Sequence, residues 1–70
     1  MFQEDFKITL KAARVNAGLT QQEASKRLCV ATSTLIKWEK KPDVIPAYRQ
    51  RSISEVYKIP IDNLVFLPQY

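Results

Sequence analysis

The side chains able to hold a polyanion cluster in the middle of this chain. Residues 21–41 carry five cations, Lys26, Arg27, Lys37, Lys40 and Lys41, against two acids, Glu23 and Glu39. The flanking stretches are close to balance, with three cations against two acids over residues 1–20 and three against three over residues 42–70. A local excess of this kind suits a polyanionic partner, most simply nucleic acid. Surface helices also carry lysine for solubility alone, so charge by itself leaves the partner open. Nucleophilic and metal chemistry is poorly provided for. The chain has no histidine and one cysteine, Cys29. That removes histidine acid–base work, serine–histidine and cysteine–histidine nucleophiles, a zinc site and an internal disulfide. The expectation is a binding module, not an enzyme, with no metal, no cofactor and no small-molecule substrate.

The length bounds what can position these groups. Seventy residues, 46% hydrophobic and 26% charged, are too apolar for general disorder and predict one domain over residues 1–70. A core of this size supplies only about 3–5 kcal/mol of net stability, so local signals must be consistent. A lone reducible thiol predicts a cytoplasmic protein. No apolar run approaches the roughly 20 residues of a membrane span, and the opening MFQEDFK does not read as a signal peptide.

The local signals are helical, and the fold class they predict is all-α. Leu10, Ala13, Arg14 and Ala17 share one face of a helix over about residues 9–17, and Gly18 follows as a left-handed stop. Thr20 and Glu23 form a capping box that opens a second helix over residues 20–28. Residues 28–36 are rich in β-branched side chains, but Leu35 and Trp38 at i, i+3 favour a third helix from about residue 32. The complementary face is Ser33, Ile36, Lys37 and Lys40, which leaves Ile36 exposed. Pro42 ends that helix. Pro46 suits the first turn of a fourth, with Ile53, Val56 and Tyr57 inward and Arg49 and Arg51 wet. Pro60 ends it or opens a last short helix with Ile61, Leu64 and Val65 inward. Residues 66–70 form an apolar tail.

Two short helices separated by a three-residue turn give helix-turn-helix geometry over about residues 20–40. The segment TQQEASKRLCVATSTLIKWEKK resembles the motif of the Cro/CI-type family, the helix-turn-helix class of phage repressors and bacterial xenobiotic-response-element regulators. Thr20, Gln21, Glu23, Leu28, Val30, Ser33, Thr34, Leu35, Trp38 and Glu39 carry the match. Leu10, Arg14, Gly18 and Leu19 upstream and Ile53, Ile59, Asp62 and Leu64 downstream extend it to about residues 8–66. The resemblance implies a compact five-helix domain whose third helix enters the DNA major groove. It puts base reading on Thr32, Ser33 and Lys37, phosphate contact on Gln21, Thr34 and Lys40, and a structural pair on Arg14 and Glu39. The chain departs from the family at Cys29 and Lys41, where glycine is usual, at Ala31, where a serine cap is usual, and at Ala24, where leucine is usual. Thr32 could supply the missing cap one residue later.

Several positions carry more than one reading. Ile36 is a thymine-methyl contact, a protein-binding residue or a tolerated surface residue. Phe66, Leu67 and Tyr70 form a homodimer seam or fold back over the core. Lys40 and Lys41 hold phosphate or simply solvate a helix end, where cations are favourable. Cys29 is a redox switch or an inert thiol in a strained turn. Trp38, at i+3 from Leu35, reads as core. The function expected is that of a small phage-type transcriptional regulator, bacterial or phage-encoded and associated with the nucleoid, which binds double-stranded operator DNA. A second reading uses the same fold to bind a phage repressor protein, as a modulator or antirepressor. It rests on the short supply of base-reading side chains and on Ile36.

Overall fold

The computed structural model describes residues 7–66. Leu67 and Tyr70, two of the expected seam residues, lie outside the described residues. Four α-helices occur in order: α1 (Leu10–Asn16), α2 (Gln21–Leu28), α3 (Thr32–Lys40) and α4 (Ala47–Tyr57). Single 3-10 turns, Pro42–Val44 and Ile61–Asn63, follow α3 and α4. The described residues are thus all-helical apart from one isolated parallel bridge between Ile8 and Leu64. The expected fifth helix is only the second of those 3-10 turns. No helix among the described residues is long and apolar enough to cross a membrane.

Three of the helices stop in the same way. After α1, Gly18 takes φ 75°, and the amides of Gly18 and Leu19 bond back to Val15 and Arg14. After α2, Cys29 takes φ 58°, and the amides of Cys29 and Val30 bond back to Lys26 and Ser25. After α4, Lys58 takes φ 57°, and Ile59 bonds back to Ser54. This left-handed stop satisfies helix-end carbonyls, and glycine adopts it most readily. Here two of the three stops are made by residues with a side chain.

The starts differ. Thr9 caps α1 by accepting from the Ala12 amide at 3.2 Å. Thr20 accepts from the Glu23 amide at 3.1 Å, while Glu23 accepts from the Thr20 amide at 2.9 Å. That amide, and then the Thr20 hydroxyl, hold the Glu23 carboxyl below its usual range. α3 starts without a side-chain cap at Ala31, and Thr32 does not replace it. Pro46 sits just before α4, at its cap position instead of inside its first turn.

The core gathers Leu10 and Ala13 of α1, Ala24 and Leu28 of α2, Leu35 and Trp38 of α3, and Ile53 and Tyr57 of α4, closed by Ile45, Ile59 and Leu64. Ala24, where leucine is usual, has no exposed surface. Several burial expectations are corrected, Val65 among them, which is half-buried. Ala17 is exposed, because α1 ends at Asn16 and the chain turns out to Gly18. Val56 is only half-buried. Ile61 is 38% exposed, because its 3-10 turn stops at Asn63 and Leu64 continues extended to pair with Ile8. Arg49 is half-buried and caps the end of α2, its Nη1 donating to the Leu28 carbonyl at 2.8 Å.

Candidate nucleic-acid interface

The exposed edge of α3 is held from behind by one carboxylate. Arg14 Nε donates to Glu39 Oε2 at 2.6 Å, with the two side chains only 9% and 7% exposed. Arg14 Nη1 also donates to the Leu19 carbonyl at 3.0 Å, across the α1–α2 turn. The second carboxylate oxygen of Glu39 accepts from Gln21 Nε2 at 3.1 Å. Three helices therefore converge on Glu39. Gln21, at the first turn of α2, has one amide hydrogen committed inward and a second available outward. Nothing in the types or spacing of Gln21 and Glu39, 18 residues apart, announces this contact.

A second fastener crosses the turn between α2 and α3. Ser25 Oγ donates to the Gln22 carbonyl at 2.8 Å and lies 3.0 Å from Thr32 Oγ1. The serine proton is already used, so the threonine is the donor between the two hydroxyls. Thr32 thus gives its only hydroxyl proton to a buried neighbour and keeps acceptor lone pairs alone. This limits what Thr32 can offer a base; it does not act as a cap because it is already the first helical residue, after Ala31.

On the outer edge, Ser33, Lys37 and Lys40 are exposed, and Thr34 is half-buried. Ile36 is half-buried, against the expectation of an exposed side chain. The reason is its surroundings. It lines two shallow clefts: one of about 340 Å³ with Ser33, Lys37, Lys40 and Lys41, and one of about 200 Å³ with Lys11, Gln21, Glu39 and Lys40. Lys11 comes from α1, so the basic rim includes a residue that the motif does not.

The remaining candidates sit elsewhere. Phe66 is half-buried and packs on the core. It also lines an open depression of about 510 Å³ with Ile61, Leu64 and Val65, separate from the α3 edge. Cys29 is an exposed free thiol in the left-handed turn. Trp38 is buried on the inner face of α3. Behind Glu39, the Tyr57 hydroxyl is buried without a hydrogen-bond partner among the described residues. Burial, and then the negative charge of Glu39, push its phenol up to about 12, against an opposing pull from Arg14.

The groups along the α3 edge share one face of the described residues. Cations, an amide donor and hydroxyls line the outer edge of α3, while Glu39 is tied to Arg14 and Gln21 and Glu23 is spent in a cap. The helix-turn-helix family model matches residues 10–64 of the chain. Among curated proteins and among solved structures, none matches it.

Proposed function

Because the chain belongs to the Cro/CI-type helix-turn-helix family of DNA-binding transcription regulators, we propose that it is a small phage-type regulator of operator DNA, acting in a repressor/Cro-like switch. The observation that carries this reading is the basic outer edge of α3, where Lys37, Lys40 and Lys41 stand beside Lys11 and the Gln21 amide. In this reading α3 lies in the major groove. Ser33 and Lys37 face base edges, where lysine suits the guanine acceptors. Thr32 contributes only acceptor lone pairs. Gln21 turns its second amide hydrogen to a phosphate, Lys40 and Thr34 approach the backbone, and Lys11 and Lys41 add charge. The work is divided as in other protein–DNA contacts, with phosphates fixing position and bases fixing sequence. Two copies, each a single domain over residues 1–70, bind half-sites roughly 34–36 Å apart.

The test is enrichment of a randomised duplex pool by the purified chain, followed by titration of the enriched duplex at several salt concentrations. A defined consensus is expected, with log affinity falling linearly against log salt at a slope of about −0.9 for each phosphate neutralised. Failure to enrich any sequence, together with salt-insensitive binding to a phage repressor protein, would replace this reading with the antirepressor.

A further inference from the structure

We infer that Ile36 is a specificity residue that reads the C5 methyl of a thymine. This rests on the DNA reading above and names one base that the surface selects.

Ile36 is the apolar member of an otherwise polar edge. It is half-buried and lines both clefts on the outer side of α3. Ser33, Lys37 and Lys41 border it on one side, Lys11 and Gln21 on the other, and Lys40 borders both. The bases show one apolar group in the major groove, the thymine methyl. Ile36 offers it the largest apolar side chain on this edge. Lys37 is a point cation suited to guanine N7 and O6, and Ser33 serves either donors or acceptors. Thr32, half-buried and tied to Ser25 through its hydroxyl, brings only one methyl. Thymine is therefore distinguished by contact with the Ile36 side chain.

The rim decides between nucleic acid and protein as the occupant of this face. The centre of a protein interface is depleted in lysine, because its charges would have to be desolvated. Ile36 instead has Lys11, Lys37, Lys40 and Lys41 around it. The acid nearest to it, Glu39, is committed to Arg14 and Gln21. A ring of cations around one apolar side chain matches phosphates around one exposed methyl group.

The experiment replaces single thymines of the pool-enriched duplex by uracil, which deletes the methyl and leaves the protein untouched. Replacement at one position of each half-site is expected to weaken the wild type about three- to fivefold, the equivalent of one buried methyl. The same replacement should be silent in Ile36→Ser and should keep its effect in Ile36→Val. Circular dichroism establishes that both variants are folded, and both should keep the wild-type salt slope. Uracil replacements that are all silent in the wild type, or that weaken Ile36→Ser equally, overturn the assignment while leaving DNA binding intact. An enriched site without thymine overturns it as well. Failure to enrich any duplex overturns the DNA reading itself, and Ile36 then has no base to read.

Discussion

Gln21 donates its side-chain amide to Glu39 at 3.1 Å, on the carboxylate whose other oxygen holds Arg14 at 2.6 Å. One buried acid thereby ties Gln21, at the outer edge, to the ion pair that joins α1 to α3. The orientation of Gln21 is fixed by an interaction whose main weight lies in the fold. Preorganisation of this kind reduces the side-chain ordering that binding would otherwise require.

Glu39→Gln should therefore be severe. It leaves the Arg14 guanidinium buried without its counter-charge, at a cost of roughly 3–5 kcal/mol. That is comparable with the whole net stability of a domain this small. Gln21→Ala removes only one hydrogen bond to the same carboxylate and should cost about 1 kcal/mol. Urea denaturation of the two variants checks the contrast. Equal, small losses would show that the Arg14–Glu39 pair carries little of the fold.

The left-handed stops give a test of opposite sign. Cys29 and Lys58 sit at φ 58° and 57°, where a side chain is strained by about 1 kcal/mol or more. Cys29→Gly and Lys58→Gly should each raise the melting temperature, since relief of strain exceeds the extra freedom that glycine brings to the unfolded chain. Gly18→Ala should lower it. A Cβ at Gly18 would meet no atom within 4 Å, so the loss would come from its φ of 75° alone. Differential scanning calorimetry on the three variants reads all the signs at once.

The helices were largely legible because their punctuation is chemical and local. Thr20 with Glu23, Gly18 and Pro42 each act within a few residues, and the structure uses all of them where the pattern puts them. What was hidden is non-local. Leu64 turns extended because it pairs with Ile8, 56 positions earlier, and Ile61 is carried outward as a result. The surface shows the same division. Helical spacing places Ser33, Ile36, Lys37 and Lys40 on one edge, but it cannot bring in Lys11 from α1. It also cannot reveal that Ser25 takes the Thr32 proton, because both hydroxyls read as ordinary polar residues of separate helices.

Tyr57 links stability to pH. Its hydroxyl is buried without a partner among the described residues, so Tyr57→Phe removes an unmet desolvation penalty and should stabilise the chain by about 1 kcal/mol. The phenol is pushed up from 10.0 to about 12 in the folded chain, so between those values the folded chain keeps a proton that the unfolded chain has lost. Stability then falls as pH rises above about 10 and levels off near 12, and below 10 Tyr57 adds no pH dependence. The difference between wild type and Tyr57→Phe isolates this contribution from every other group. It should be constant below pH 10 and widen above it, as measured by denaturant titrations across that range. A constant difference throughout would mean that the hydroxyl reaches solvent or a partner.

Gln21 and Lys37 should fail differently on DNA, because they stand at different depths of the same edge. Gln21 opens α2, one amide hydrogen held by Glu39 and the other free for a phosphate. A phosphate carries no sequence information, so Gln21→Ala should weaken consensus and scrambled duplexes by the same factor. Lys37 is exposed on the outer face of α3, beside Ser33 and Ile36. If its ammonium faces guanine N7 and O6, Lys37→Ala should weaken the consensus selectively and flatten the preference at one base pair by roughly 1–3 kcal/mol. Salt separates the roles further. Lysine at a phosphate releases a counterion, and its loss lowers the salt slope by about 1, whereas lysine at a base edge changes that slope less. The measurement is a competition titration of each variant against the consensus, against each single-base substitution and against a scrambled duplex, at two salt concentrations. Sequence-blind losses from both variants, with a lowered slope for Lys37→Ala, would move Lys37 from the bases to the backbone and leave Ser33 and Ile36 as the readers of sequence.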